Sequence, residues 1–452
     1  LFSNESVHSS GISYPTALQK PIPVARGIAN NLPAGRMDQG DTERDAAGGG
    51  HAHRPKFDAG TQRLSWKGRI RHITWAYFTM TMATGGVASV LHTVPYRFGG
   101  LYTIGVIVFI LNVVLYLIIW TLMILRFYHY PHTFKASFLH PTESLFVPAS
   151  LISAEAIMIN IIQYGLDHTG PWLTDTISIL FWFMAAMAVI FAAVIYLILW
   201  STQTFTIAEM TPIWILPAYP LLLIGPIAGA LCAKLTPPRS LPTILVGFAI
   251  QGIGFLVSLM VYSAFIYRLM SQKLPKETAR PGMFVSVGPS AFTVSGILNM
   301  ASQASRVFPI HFLGNGPLAA SIFKVISDFA ALWLWGLAIF FFFAATLSHW
   351  AVVSGGGTPF SMNWFSFVFP NTALVGATFA VGQAFSSGAI DVIGVVMVFP
   401  LILMWFFVCI MMMRAIYLKH ILWPQKGEDK DEQGFSTCDR RPGNRPVGHQ
   451  WA

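Results

Sequence analysis

Ten long apolar stretches set the first limit on how this chain can fold. Each holds about 20 residues or more, which is the length that an α-helix needs to cross the hydrocarbon core of a bilayer. Only 10% of the 452 residues are charged, whereas soluble domains carry roughly 25%. The sequence therefore predicts an all-α integral membrane protein. The ten predicted transmembrane helices cover residues 72–92, 101–126, 143–163, 175–200, 212–232, 241–268, 281–303, 318–347, 361–385 and 389–416.

The ends of the chain differ from these spans in composition. Residues 1–70 and 419–452 hold too few apolar side chains to build a core, so we predict disordered tails on either side of a ten-helix domain over residues 71–418. The sequence begins at Leu1 rather than at a methionine, which leaves open a longer parent chain.

Basic residues near the span ends predict the orientation in the membrane. They crowd the side that carries both tails, whereas the opposite side holds only Arg97, Lys234, Arg239 and Arg306. Cytoplasmic flanks of membrane proteins carry the excess of Lys and Arg, so both termini are predicted to be cytoplasmic. The net charge of +9 does not indicate nucleic-acid binding, because the basic residues form no single patch.

Helix breakers favour the odd-numbered spans. A proline inside a helix leaves the carbonyl four residues earlier unpaired, as Pro289 would do for Val285. A membrane tolerates such backbone only where it is buried in protein or borders water. We therefore predict five kinked inner helices around a central pore and five even-numbered outer helices facing lipid, with each consecutive pair forming a hairpin. The candidate kinks are Pro148, Pro217, Pro226, Pro289 and Pro370.

The segment 280–293, RPGMFVSVGPSAFT, concentrates these breakers most strongly. We predict that its interrupted backbone borders water and an anion path. The alternative is that Gly and Pro serve only close packing between membrane helices.

Polar side chains recur on one face of several odd-numbered spans. In span seven, Ser286, Ser290 and Thr293 follow one another at steps of four and three residues, which places them on one helix face. Such groups would offer hydrogen bonds to an anion without the tight hold of a buried lysine. The alternative is that the hydroxyls bond back to their own helices. The candidate pore-lining and anion-binding residues are Thr74, Thr81, Thr84, Gly85, Ser286, Ser290, Thr293, Asn363, Ser366 and Asn371.

Charged residues near or inside the spans are few, and each needs a reason. Glu155 has no local partner, which leaves two interpretations: a proton relay, or a neutral carboxyl that is hydrogen-bonded to a neighbouring helix. Arg97 and Arg306 either attract anions at the outer mouth or anchor the chain at the membrane interface. Lys324 and Asp328 lie four residues apart and are expected to form a structural pair.

Enzyme chemistry finds no support in the sequence. No cluster of His, Cys and carboxylates has workable metal-ligand spacing, and no intramembrane nucleophile is matched with a base. We therefore predict neither an enzyme nor a cofactor or metal site.

Four stretches together carry a family resemblance. They resemble the fungal malic acid transport proteins, which belong to the tellurite-resistance and dicarboxylate transporter family together with plant slow-type anion channels and fungal sulfite efflux pumps. The resemblance extends over about residues 65–425 and all ten spans. The stretches are HITWAYFTMTMATGGVASVLHTVPYRFGGLYTIG, TPIWILPAYPLLLIGPIAGA, RPGMFVSVGPSAFT and WFSFVFPNTALVGATFAVG.

This resemblance implies several further features. It implies five hairpins, a pore lined by the odd-numbered helices, a homotrimer with one pore in each subunit, and a plasma-membrane location. It also implies a phenylalanine gate on the ninth helix, which maps to Phe369, with Phe367 as the alternative. A rotating apolar ring can close a narrow pore by steric block and dewetting.

Three functions remain open from the sequence. The first is a carrier or channel for C4-dicarboxylate anions, chiefly malate, with succinate and fumarate as related substrates, moving either down the electrochemical gradient or with protons. The second is an exporter of sulfite or another small anion. The third is a membrane sensor that binds an acid without moving it.

Overall fold

The computed structural model describes residues 66–204, 206–354 and 359–422, and this part of the chain contains helices and no β-strand. Ten helices have 14 residues or more, and we number them in chain order. They are α1 (Phe78–Thr93), α2 (Leu101–His129), α3 (Ala149–Tyr164), α4 (Pro171–Thr202), α5 (Tyr219–Cys232), α6 (Pro237–Gln272), α7 (Val287–Val307), α8 (Gly316–Ser354), α9 (Phe369–Ala384) and α10 (Gly388–Tyr417).

The predicted tails lie almost wholly outside the described residues. A short helix, Trp66–Ile70, begins the described part, slightly before the predicted domain boundary at residue 71. All that follows concerns the described residues of the unit Gln62–Ala452.

The ten helices fall into two classes that alternate along the chain. The odd-numbered helices have 14–21 residues, whereas the even-numbered helices have 29–39. Between 72% and 89% of the residues are buried in the apolar segments that contain α3, α5, α7 and α9, against 22–28% in those of the even-numbered helices. Nine segments of the described residues are long and apolar enough to cross a membrane. The helix α1 is shorter, but it buries 13 of its 16 residues.

The odd-numbered helices pack in a closed ring. In this ring α1 contacts α3, α3 contacts α5, α5 contacts α7, α7 contacts α9, and α9 returns to α1. The even-numbered helices lie outside it: α2 packs on α1, α6 on α5, α8 on α7 and α10 on α9. The helix α4 differs, since it packs mainly on α5 rather than on α3, which precedes it in the chain. We call the two sets the inner and outer helices.

Small residues decide which side of an outer helix faces the ring. The helix α4 is apolar around its whole circumference, so hydropathy alone assigns it no face. Its buried residues nevertheless recur at steps of three and four, and Ala185, Ala188 and Ala192 lie at the centre of that stripe. Small side chains allow two membrane helices to approach closely. Large residues such as Ile179 and Leu197 point outward instead.

Each inner helix begins later than its predicted span, because an irregular segment precedes it. A tighter 3₁₀ segment leads into α1, α5, α7 and α9, and a short α-helix leads into α3. The predicted continuous spans are therefore built from two parts. The leading segments are Trp75–Tyr77, Glu143–Phe146, Pro212–Ala218, Glu277–Ser286 and Met362–Phe367.

Most of the predicted proline kinks mark these junctions. Pro148 directly precedes α3, Pro370 lies in the first turn of α9, and Pro217 belongs to the 3₁₀ segment before α5. Pro289 is the third residue of α7. The first turn of a helix has no intrahelical partner for its N–H groups, so a proline costs little there. Of the five prolines, Pro226 alone interrupts the middle of an α-helix.

The segment 280–293 corrects one prediction. Its residues 281–293 are buried, and of these only Phe292 lines the central cavity described below. The carbonyl of Val285 accepts a hydrogen bond from the hydroxyl of Tyr219 on α5. The next carbonyl, that of Ser286, accepts one from Tyr262 on the outer helix α6 at 2.6 Å. Tyrosine hydroxyls from two neighbouring helices therefore satisfy the interrupted backbone, in place of water.

Candidate functional site

A cavity of about 110 Å³ lies inside the ring of inner helices. All five inner helices contribute to its wall, and each does so at positions spaced by three or four and then seven residues. This spacing brings one face of each helix to the cavity over a rise of about 10 Å. The lining residues are Gly85, Gly86, Ser89, Val90 and Thr93 of α1, Ala156, Ile159 and Gln163 of α3, Leu223, Pro226 and Ala230 of α5, Phe292, Ser295 and Asn299 of α7, and Phe369, Thr372, Ala373 and Gly376 of α9.

Aromatic rings close one end of this cavity. Phe369 is the first residue of α9 and is only 4% exposed. Its ring centroid lies 5.3 Å from that of Phe292 on α7 and 6.1 Å from that of Tyr219 on α5. These aromatic side chains come from three different inner helices and form one cluster.

Neutral polar groups lie towards the ends of α1 and α3. The amide nitrogen of Gln163 donates to the hydroxyl oxygen of Ser89 at 3.0 Å. Thr93 and Asn299 line the same part of the cavity. No charged side chain belongs to the lining of this cavity. The site can therefore offer an anion hydrogen bonds without a fixed countercharge.

Three residues singled out by the sequence lie at this cavity. They are Gly85, the kink Pro226 and the gate candidate Phe369. The alternative gate, Phe367, lies elsewhere: its ring packs 5.1 Å from His349 and 5.3 Å from Phe284.

Three other predicted pore residues face outer helices instead. Thr84 accepts a hydrogen bond from Trp405 of α10 at 3.2 Å. Thr293 accepts one from Gln251 of α6 at 2.8 Å. Ser286 binds α6 through its backbone carbonyl, as described above. Of the predicted hydroxyl stripe, the Thr293 side chain is therefore bonded to the outer layer, whereas the Ser286 hydroxyl donates to the carbonyl of Met283 in its own segment at 2.6 Å.

The remaining candidate residues lie at seams or in the leading segments. Thr81 donates to the backbone of its own helix and bonds Ser153 of α3 at 2.7 Å, which ties α1 to α3. Ser366 donates to Asn363 at 3.1 Å, and Asn371 donates to the carbonyl of Phe367 at 2.8 Å.

Thr74 and Ser290 complete this set. Thr74 directly precedes the 3₁₀ segment of α1, and Ser290 is buried in α7. Neither is among the residues that line the cavity.

The two arginines predicted at the outer mouth cap helix ends. Arg97 donates to the carbonyl of His92 at 2.6 Å, in the last turn of α1. Arg306 donates to the carbonyl of Cys232, the last residue of α5, and to that of Leu235 at 3.1 Å. A cation at a helix C-terminus is favoured by the helix dipole. Each of these arginines therefore has at least one guanidinium N–H bonded to a backbone carbonyl.

Sequence reasoning missed most of the polar lining. Ser89, Thr93, Gln163, Asn299 and Thr372 were not singled out, although each belongs to an inner helix and all but Thr93 lie within a predicted odd-numbered span. The three-then-seven spacing that these helices share is a usable signal. Each inner helix has several faces with this spacing, however, and only its packing against neighbouring helices determines which face lines the cavity.

Comparison with known proteins agrees with this architecture. Residues 72–413 match the family model SLAC1, Voltage-dependent anion channel. The chain belongs to the voltage-dependent anion channel family. The family's members are membrane transport proteins and not enzymes, which agrees with the neutral cavity inside the helix ring.

Two kinds of fungal relative are similar to this family member. The malic acid transport protein of Schizosaccharomyces pombe is 33% identical over 362 residues, which cover 80% of this chain and 82% of the relative. A putative malic acid transport protein of the same organism is 32% identical and covers 82% of this chain and 85% of the relative. The sulfite efflux pump SSU1 of Trichophyton rubrum is 28% identical and covers 73% of this chain and 87% of the relative.

Proposed function

We propose that this protein moves C4-dicarboxylate anions, chiefly malate, through the centre of its inner ring. The observation that carries the proposal is the cavity itself, which is lined by all five inner helices and by no charged side chain. A conducting site has to bind its ion strongly enough to admit it and weakly enough to release it. Neutral amides and hydroxyls meet that requirement better than a buried lysine or arginine.

Malate, succinate and fumarate are the proposed substrates because the two malic acid transport relatives cover most of this chain. Malate carries a carboxylate at each end and a hydroxyl between them. The donors of Gln163 and Asn299 sit on α3 and α7, which are not neighbours in the ring. Two separated donors suit an anion with two carboxylates.

We propose Phe369 as the gate of this path. Its position at the start of α9, against Phe292 and Tyr219, supports that role over one for Phe367. The junction between the 3₁₀ segment and α9 lies directly before it, so a small change at this junction would move the ring. The predicted pore residues of the leading segments, Thr74, Asn363 and Ser366, are proposed to line the path on the other side of this gate.

We further propose a topology of ten crossings with both termini in the cytoplasm of a plasma-membrane protein. The described basic residues support it, since they concentrate at the end of the helices where α1 begins and where α10 terminates. The segment Trp75–Thr93 would supply the tenth crossing. The resemblance to slow-type anion channels supports a homotrimer with one pore in each subunit.

A second candidate function is export of sulfite on the same scaffold. The relationship to the sulfite efflux pump favours it, although at lower identity than the malic acid relatives. Malate and sulfite can each carry two negative charges, and the cavity has no fixed charge whose position would select the longer anion over the smaller one.

Flux measurements in liposomes test the proposal. The purified chain is reconstituted, and uptake of labelled malate is measured at controlled voltage and pH, with sulfite, succinate and fumarate as competitors. We expect voltage-driven malate flux that the dicarboxylates compete for more strongly than sulfite does. Stronger competition by sulfite would favour the exporter. Binding of malate without any flux would favour a sensor and refute transport.

A further inference from the structure

Glu155 is a buried carboxyl group on the inner helix α3. It is the one acidic residue on the five inner helices, and it is fully buried. Within the described residues, neither of its carboxyl oxygens has a hydrogen-bond partner. The interpretation of Glu155 as a carboxyl that is hydrogen-bonded to a neighbouring helix is therefore not supported. An ionised carboxylate without partners in an apolar interior is too costly to persist, so this group holds its proton in the closed structure.

Its position relative to the proposed gate follows from helix contacts. Ala156, the next residue, lines the cavity and lies against Gly85, where an added Cβ would be 3.1 Å from the methyl group of Ala156. An added Cβ on the adjacent Gly86 would come still closer to Thr372, one turn after Phe369, at 2.3 Å from its hydroxyl oxygen. The helices α1, α3 and α9 run in the same direction, so Glu155 and Phe369 lie within about one helical turn of each other along the ring axis.

Buried amides extend from the cavity wall towards this level. Asn160 donates to the carbonyl of Gly85 at 3.1 Å, and Asn112 of the outer helix α2 also lies beside Gly85. In the described residues, both polar atoms of the Asn112 side chain and the carbonyl oxygen of the Asn160 side chain have no partner. Buried polar atoms of this kind are commonly satisfied by ordered water. Water that enters from the cavity at Gly85 would therefore find hydrogen bonds at about the same level along the ring axis as Glu155.

The ionisable groups on α1 and α2 do not pair with Glu155. On α1 the group is His92, which lies in the last turn and packs on Tyr164. On α2 they include Tyr116, whose hydroxyl donates to a backbone carbonyl of α3 at 3.4 Å, and Arg126, which is paired with Glu143 before α3 begins.

The ionisable groups on the other helices packed against α3 also form no pair with Glu155. On α4 the ionisable groups are Asp175, which is paired with Arg239, and Tyr196, whose hydroxyl donates to a backbone carbonyl at 3.0 Å. On α5 it is Tyr219, whose hydroxyl is committed to the leading segment of α7. The protonation of Glu155 therefore depends on whether water reaches it and not on a neighbouring charge.

We propose that Glu155 is a proton-binding site that couples proton movement to opening of the anion path, an inference that rests on the proposed transport function. When the gate opens and water reaches the carboxyl, its O–H bond breaks, the proton passes to a water molecule, and a hydrated carboxylate remains. When the path closes and dehydrates, the carboxylate takes a proton back from water. A proton exchanged on different sides of the gate in these two steps moves across the membrane with the anion.

The experiment measures the voltage of zero net current in liposomes that contain the full chain, with equal malate on both sides. We expect the voltage to shift when a pH gradient is imposed on the parent protein. Glu155→Gln keeps the shape of the protonated acid but cannot titrate, so its shift should be lost. Glu155→Asp keeps a carboxyl and should retain the shift. The measurement is repeated with chloride, whose charge does not change with pH.

The matched control is Glu143→Gln, which removes the other deeply buried acid. Glu143 is bonded to Arg126 at 2.6 and 3.3 Å, so its loss should reduce the amount of folded protein while the folded fraction keeps the pH-dependent shift. A malate current without a shift in the parent, or a shift of the parent's size in Glu155→Gln, would overturn the proton site alone. Absence of malate and chloride currents in every variant would overturn the transport function itself.

Discussion

The inner and outer helices satisfy their backbone hydrogen bonds away from water in opposite ways. Outer helices such as α4 are long, unbroken at their centres and apolar on all sides, as a segment in contact with lipid has to be. Inner helices are short and begin with irregular turns, and together with the segments that lead into them they carry 15 of the 27 buried polar side chains in the described residues. The difference teaches that irregular backbone at membrane depth is possible here because a complete outer layer supplies its hydrogen bonds and excludes lipid.

The contacts between the two layers show how this works. Gln251 of α6 accepts a hydrogen bond from the backbone N–H of Gly225 at 3.2 Å, next to the helix-breaking Pro226. The same side chain donates to Thr293 of α7. One side-chain amide of an outer helix therefore bonds the backbone N–H beside the break in α5 and also links α5 to α7. The outer layer supports the inner ring chemically as well as sterically.

The largest expected effect concerns the buried ion pair between Arg126, in the last turn of the outer helix α2, and Glu143, in the segment that leads into α3. Glu143→Gln leaves the guanidinium of Arg126 buried without its countercharge, and such losses cost about 3–5 kcal/mol. We expect a strongly lowered unfolding midpoint in detergent. The exposed pair of Asp167 with Lys234 is the control, because Asp167→Asn should cost less than about 1 kcal/mol. Equal losses would contradict the assignment of buried and exposed pairs.

The second prediction tests the centre of the inner ring. Phe369→Ala removes the ring that packs on Phe292 and should raise basal malate flux about a hundredfold, which corresponds to lowering a barrier by about 2.8 kcal/mol. Phe367→Ala is the discriminating variant, since that ring packs against His349 away from the cavity. Its basal flux should not rise. An unchanged flux in a normally folded Phe369→Ala protein would count against the gate.

The third prediction compares two faces of one outer helix. An added Cβ on Gly254 of α6 would approach Leu221 of α5 to 2.9 Å, whereas one on Gly252 meets nothing within 4 Å. Overpacking costs about 1–3 kcal/mol, so Gly254→Ala should lower the unfolding midpoint. Gly252→Ala should raise it slightly, because Ala favours a helix by about 0.5–1 kcal/mol over Gly. A reversed order would mean that α6 presents its other face to the ring.

The smallest effect concerns the repair of the broken segment before α7. Tyr219→Phe removes the hydroxyl that donates to Val285 and should cost about 1 kcal/mol of stability. Tyr267→Phe is the matched control, since Tyr267 lies on the exposed face of α6. Thermal unfolding in detergent should separate the two variants. If they unfold alike, water rather than Tyr219 satisfies that carbonyl.

Much of the fold could be predicted from the sequence, and the reason is energetic. An uninterrupted apolar segment such as 175–200 has no stable alternative to a membrane helix, so composition and length suffice. The uneven distribution of proline likewise indicated which helices are inner, because lipid does not tolerate unpaired backbone. The first residues of the inner helices were predicted less accurately, because a proline such as Pro370 is compatible both with the first turn of a helix and with a kink inside one.

The sequence by itself therefore determined that this chain is a membrane bundle with two classes of helix, because desolvation of backbone and side chains is a local cost. Only the tertiary structure decided which faces meet at the centre. The hydroxyl of Thr293 faces an amide on α6, while Gln163 and Asn299 reach the cavity. A buried polar side chain in a helix bundle forms hydrogen bonds with whichever neighbouring groups are within reach. Those groups come from distant parts of the chain, so the spacing of residues along one helix does not predict them.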